Sequence, residues 1–294
     1  MAHGLDSDLL RSFVAVAECK GFTAAADRIH RTQSAISQQI RRLEQVAGVT
    51  LVERSSRKLS LTHEGESFLA YARQILRLHE EAIASINTSA YQRSLRIGMP
   101  DDYAEHVLPQ MLPRFTTLHP TVRPHIHCAM STQLLRRMSA GELDLALTIR
   151  HSTQSGGELL CRENLVWVAG PNSAPPPDGP VPLALFPEGC AYRARGIHAL
   201  STAARDWNLI YTSQSPTGIR IAVEQQGAVT VNARRTTPGQ WQWLEAGHGM
   251  PALPSAELEL HRSPTAPLRP VDDFAELLLD ALGADTAPAR VDRS

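Results

Sequence analysis

Apolar residues along the first part of the chain recur at helical spacing. In "LLRSFVAVAE", Leu9, Phe13, Val16 and Ala17 fall on one face. Gly21 ends that run. Thr23 is placed to cap a short helix over "AAADRIH", and Thr32 to cap the helix after it. This third run sets Ile36, Ile40 and Leu43 on one stripe and stops near Gly48. "LVERSSRKLSLT" follows as two short β-prone runs around a polar, basic turn. Thr62 then caps a long helix whose apolar positions, from Phe68 to Ile86, recur every three or four residues to about Asn87. At ~1.5 Å rise per residue this is a rod of roughly 40 Å. Its stripe suits a second copy of the chain, with packing on its own domain as the alternative.

After "SAYQRS" the texture changes to alternating strands and helices. "LRIGMP", "VRPHIHCAM" and "LDLALTI" read as strands around the helices "YAEHVLPQMLPRFTTL" and "TQLLRRMSAG". This β-α-β-α-β order predicts an α/β unit with a mainly parallel sheet. A second unit starts near "NLVWVAG". It continues through the strands "LALF", "WNLIYT" and "AVTVN", with "AYRARGIHALSTAA" and "PTGIRIAVEQQ" as helices. "LELHR" reads as a last strand, "PVDDFAELLLDALG" as a closing helix, and residues 284–294 as a frayed tail.

Composition narrows the class. The 294 residues are 43% hydrophobic and 20% charged, as in ordinary globular domains. No apolar run approaches the ~18 residues of a spanning helix. The start lacks the basic-then-apolar build of a signal peptide, so the expectation is a cytoplasmic protein with no membrane partner. Cys19, Cys128, Cys161 and Cys190 form no CxxC pair, which fits a reducing compartment and no structural zinc. A net charge of -1 conceals an asymmetry. Residues 20–62 hold eight basic side chains against three acidic ones, which suggests a polyanion partner.

Two short helices around a tight turn, the second with a polar outer face, point to a helix that enters the major groove of double-stranded DNA. With Ile36, Ile40 and Leu43 inward, Ser34, Ser37, Gln38 and Arg41 share the opposite side, and Gln33 stands at the helix start. Gln38 can pair with adenine and Arg41 with guanine. Thr23, Thr32, Arg42, Arg54, Arg57 and Lys58 suit phosphates, which position a protein without reading sequence. A solvated polar helix with no partner is the alternative, and the basic turn, placed like a wing, weighs against it.

The stretch "GFTAAADRIHRTQSAISQQIRRLEQVAGVTLVERSSRKLSLTHEGESFLAYA" resembles the N-terminal winged helix-turn-helix of LysR-type transcriptional regulators. It carries the QSAxSxQIxxLE recognition helix, then LxxR and the T-x-x-G opening of a linker helix; Val52 stands where an aromatic is usual. The resemblance implies an α/β protein overall. An all-α winged helix-turn-helix domain (1–61) and a linker, or dimerisation, helix (62–90) would precede two Rossmann-like α/β subdomains at 94–283. These would form a periplasmic-binding-protein-like effector domain. Lobe I would span about 94–164 plus 267–283, and lobe II about 165–266. It also implies homodimers or homotetramers, contact with RNA polymerase, and a small-molecule effector in the crevice between lobes. The loops "MPDDYAEH", "MSTQLL" and "TSQSPTG" would line that crevice. They offer Pro100, Asp101, Ser131, Thr132, Ser213, Ser215 and Thr217, with Arg150 at the crossover. Several of these could simply cap helices, and Asp101 with Asp102 would disfavour a carboxylate effector.

Catalysis finds little support. "LHEEA" lacks the second histidine of a zinc motif, and there is no GxSxG, Walker loop or GxGxxG. The reading is a non-enzymatic regulator with no catalytic residues, no metal and no cofactor. A constitutive, architectural DNA-binding protein with an assembly-only C-terminal domain is the alternative.

Overall fold

The computed structural model describes residues 5–54, 59–87, 93–151, 156–171, 173, 175–176, 179–263 and 268–283. They fall into two compact units. The first holds the described residues of Met1–Ser94, Arg136–Asp144 and Ser263–Thr265, and the second those of Leu95–Leu135, Leu145–Arg262 and Ala266–Ser294. No helix among the described residues is long and apolar enough to cross a membrane.

In the first unit, α1 (Ser7–Cys19), α2 (Phe22–Arg28) and α3 (Gln33–Ala47) bury Leu10, Phe13, Val16, Ile36, Ile40 and Leu43 in one core. Thr32 caps α3 as expected, its hydroxyl accepting from the Ala35 amide at 3.2 Å. Thr23 does not cap α2. The extended backbone of Gly21 starts that helix two residues earlier, and Thr23 lies inside its first turn. Helix α3 ends on Gly48, whose φ of 74° a residue with a Cβ would reach only under strain. The strands β1 (Val52–Arg54) and β2 (Leu59–Leu61) pair antiparallel, Val52 opposite Leu61. Glu44 of α3 anchors them, its carboxylate accepting from the amides of Leu51 (2.9 Å) and Val52 (3.1 Å).

The long helix α4 (His63–Asn87) opens on Thr62, whose hydroxyl accepts from the Gly65 amide at 2.9 Å. A Cβ on Gly65 would stand 2.1 Å from the Leu51 carbonyl oxygen, so only glycine lets the helix start this close to the wing. The apolar stripe divides between two environments. Leu69 and Ala72 are buried and Phe68 packs on Phe13 (ring centroids 5.5 Å), while Tyr71, Ile75 and Leu78 are exposed at 53%, 39% and 46%. On the same helix Arg73 pairs with Glu18 (2.9 Å) and Glu142 (3.5 Å), and Arg77 pairs with the buried Asp144 (3.4 Å).

The second unit contains two lobes. The first is built on a five-stranded sheet drawn from β3 (Arg93–Met99), β4 (Val122–Cys128), β5 (Leu145–Ile149) and β6 (Glu158–Glu163), completed by β12 (Ala256–Arg262). Its order is β4-β3-β5-β12-β6. The helices α5 (Asp101–Leu118), α6 (Ser131–Ser139) and α9 (Leu268–Gly283) flank it, and α9 returns onto α5 through a Phe115–Phe274 contact at 5.2 Å. The second lobe uses β7 (Leu165–Ala169), β8 (Val181–Leu185), β9 (Trp207–Thr212), β10 (Thr230–Ala233) and β11 (Gln242–Leu244), with α7 (Ala191–Thr202) and α8 (Pro216–Gln226).

Two expectations change here. The sheets are mixed rather than mainly parallel: β3–β5 and β8–β9 are parallel, whereas β12 runs antiparallel to β5 and β6, and β7 antiparallel to β10 and β11. Strand β12 also belongs to the first lobe's sheet, although its chain position suggested the second lobe. Its alternate residues Leu258 and Leu260 fill the core between β5 and β6.

Candidate nucleic-acid interface and ligand cavity

The outer face of α3 carries Gln33, Ser34, Gln38, Arg41 and Arg42, all exposed, above the buried Ile36, Ile40 and Leu43. Ser34 leans on the cap, its hydroxyl 3.1 Å from that of Thr32, and Arg41 donates to the Ser37 carbonyl one turn back (3.3 Å). Ser37 is buried at 7% exposure. It flanks the Ile36–Ile40–Leu43 stripe, and this burial removes it from the base-reading set. Thr23 and Thr32 are exposed beside this face. Arg54 ends β1, and Arg57 and Lys58 lie outside the described residues.

The second unit holds a partly open cavity of about 590 Å³ between its lobes. The starts of four helices border it: Pro100 and Asp101 at α5, Ser131 at α6, Cys190 and Ala191 at α7, Pro216 and Thr217 at α8. Pro100, Asp101, Ser131 and Thr217 therefore line it as anticipated. Thr132, Arg150, Ser213 and Ser215 do not. Ser213 instead accepts a hydrogen bond from the Ser215 amide (3.0 Å), which closes the loop on itself. Arg150 turns toward β12, where it pairs with Glu257 (2.7 Å) and with the fully buried Glu259. Ser131 is buried and accepts from the Ile149 amide (2.9 Å), tying the start of α6 to the end of β5.

Asp102 and Glu105, from the loop expected at the crevice, also line it. Chain order gave no sign of Tyr192, Arg220, Arg235 and Trp241, which line it too. Asp102 accepts a hydrogen bond from Thr236 of the other lobe (3.3 Å), and the buried phenols of Tyr103 and Tyr192 meet at 2.9 Å across the same gap. Burial, chiefly, raises the Asp102 carboxyl to about 6 and pushes both phenols well above their ordinary range. Burial also raises the Asp101 carboxyl and the Cys190 thiol, leaving that thiol protonated and weakly nucleophilic at neutral pH. Arg235 sits at the crossing where β6 of one lobe passes to β7 of the other. Its Nε lies 2.6 Å from the Glu163 carboxylate, out of line for a hydrogen bond, and both side chains are almost fully buried. No group of three potential metal ligands occurs among the described residues.

Two family comparisons cover the chain. Residues 7–66 match the bacterial regulatory helix-turn-helix proteins of the lysR family, and residues 89–283 match the LysR substrate binding domain. The chain is 34% identical over 276 residues to the HTH-type transcriptional regulator DgdR of Burkholderia cepacia, covering 94% of each chain. To PecT of Dickeya dadantii (strain 3937), another HTH-type transcriptional regulator, it is 35% identical over 260 residues, covering 88% of this chain and 82% of that one. The crystal structure of ArgP from Mycobacterium tuberculosis shares the fold with a TM-score of 0.67 at 19% identity, over 95% of this chain and 97% of that chain. A polar recognition face, a cavity between two lobes and these full-length likenesses lead to one assignment: the chain belongs to the LysR family of DNA-binding transcriptional regulators, with a helix-turn-helix domain joined to an effector-binding domain.

Proposed function

We propose that Gln33, Ser34, Gln38 and Arg41 read base edges in the major groove, while Thr23, Thr32, Arg42, Arg54, Arg57 and Lys58 hold phosphates. The observation that carries this reading is the row of exposed polar side chains on a capped helix whose buried stripe is Ile36, Ile40 and Leu43. Residues 1–61 form the reading head, 62–90 the dimerisation helix and 94–283 the sensor. The exposed Tyr71, Ile75 and Leu78, spaced four and three apart, favour a homodimer seamed along α4, with tetramers built from such dimers. The effector binds in the interlobe cavity against Pro100, Asp101, Ser131 and Thr217, and Asp102 is added to that set. The protein acts in the cytoplasm, contacts RNA polymerase at its promoters and catalyses no reaction.

Control requires that the effector favour one arrangement of the paired reading heads over another, since equal affinity for both shifts nothing. Sequencing of genomic fragments retained by the purified protein at moderate salt tests the regulator reading. A few enriched loci sharing a palindromic motif are expected. Diffuse retention that disappears with added salt would leave an architectural protein. On the recovered site, Gln38→Ala should erase about 1–3 kcal/mol of discrimination against a substituted base pair. Equal losses on cognate and random duplexes would remove Gln38 from base reading.

A further inference from the structure

The cavity is unevenly charged. Asp101, Asp102 and Glu105, on the first five residues of α5, all line it. Among the described residues none of the three pairs with a basic side chain. The Asp102 carboxylate accepts from the neutral Thr236 hydroxyl and from backbone amides at the start of α5. Two arginines also line the cavity. Arg235 is committed to Glu163 and to the Leu282 carbonyl, while Arg220 is exposed on α8 in the other lobe. The first lobe thus faces the cavity with an excess of negative charge. Helix geometry sharpens the point. An open helix N-terminus attracts anions, but α5 fills its own first turn with Asp101 and Asp102, so that end is already satisfied by negative charge. The opposite wall offers Phe186, Ile219 and Trp241, an apolar surface for an organic body.

Resting on the effector reading above, we infer that the ligand of this cavity is a small organic molecule bearing an ammonium or similar cationic nitrogen, which seats against Asp101, Asp102 and Glu105 while its carbon skeleton packs on the facing apolar wall. Burial already raises both aspartyl carboxyls, and a cation beside them would offset the cost of keeping them charged. A bare divalent ion fits less well, because the cavity is far larger than an ion and no three potential ligands converge in it. A simple carboxylate or dicarboxylate would meet like charge at the start of α5, with the exposed Arg220 across the cavity.

The test is a thermal-shift screen of the full-length protein at neutral pH with three classes of probe: alkyl amines and diamines, the standard amino acids, and mono- and dicarboxylates of matching carbon skeleton. Hits are then titrated by the change in tryptophan fluorescence, to which Trp241 of the cavity wall contributes. The expected result is stabilisation confined to compounds that carry a cationic nitrogen. The single variants Asp101→Asn and Asp102→Asn should each weaken the best hit at least tenfold, and Glu105→Gln should weaken it in the same direction. Asp101 is exposed, so its variant tests the charge even where a change at Asp102 disturbs folding. A best hit with no cationic nitrogen overturns the inference, as does unchanged affinity in Asp101→Asn, while the effector reading survives either outcome. No stabilisation by any class removes the effector reading together with this inference.

Discussion

Asp102 shows most clearly how one residue's energetics follow from where the fold puts it. Its carboxyl, raised to about 6, chiefly by burial, keeps a proton in the folded chain at pH values where an unfolded aspartate, with a value near 3.8, has released it. Between roughly pH 4 and 6 the folded state therefore binds more protons, and stability falls as the pH rises through that window. Asparagine cannot titrate. Asp102→Asn should flatten melting temperature against pH over that range and stabilise the ligand-free protein at pH 7 by on the order of 1–2 kcal/mol, discounted because the side chain is only half-buried. Parallel pH profiles for the two proteins would refute the strained-carboxylate account. The sequence shows two aspartates before a helical run, which is equally the pattern of ordinary capping. That the second lobe closes over one of them is a tertiary fact that no local period encodes.

At the scale of elements, what the sequence conveyed was what local physics controls. The caps at Thr32 and Thr62, the stripe Ile36–Ile40–Leu43 and the ends of α4 follow from hydrogen bonds and spacing within a few residues. Thr23 misled because threonine and the preceding glycine compete to start the same helix, and Gly21 wins with an extended backbone that needs no side-chain cap. Arg150 misled because its partners Glu257 and Glu259 lie on β12, more than a hundred residues away. Long-range pairing also decides the crossing between lobes. Glu163 ends β6 with 3% of its side chain exposed and depends on Arg235 for charge compensation. Arg235→Ala would strand that carboxylate, and a loss of about 3–5 kcal/mol is expected. The four tryptophans, Trp167, Trp207, Trp241 and Trp243, all belong to the second unit, so urea unfolding followed by their fluorescence reports this loss directly. Pairing Arg235→Met with Glu163→Gln should recover most of it. A single variant as stable as the parent would mean that the ion pair holds nothing together.

The long helix raises the same question for whole molecules. Its inner positions bury Leu69 and Ala72, yet Tyr71, Ile75 and Leu78 stay open to solvent at helical spacing. A stripe of this kind is stabilised by a like stripe from a second copy. Ile75→Glu should shift sedimentation toward monomer while the helical circular dichroism is retained, because the residue contributes little to the chain's own core. Unchanged sedimentation would place the dimer seam elsewhere. Stoichiometry then carries into DNA binding. Arg42 is exposed on the recognition helix, and residues 20–62 carry eight basic side chains against three acidic ones. Each phosphate neutralised contributes about 0.9 to the slope of log K against log salt. Arg42→Ala should therefore flatten that slope by about 2 when two reading heads engage one site, and by about 1 when a single head binds. Measured on one palindromic duplex, the Ile75→Glu protein should show the smaller change. A slope that Arg42→Ala leaves untouched would show that this arginine never reaches a phosphate, and the positive charge that positions the reading head would have to lie on the wing instead.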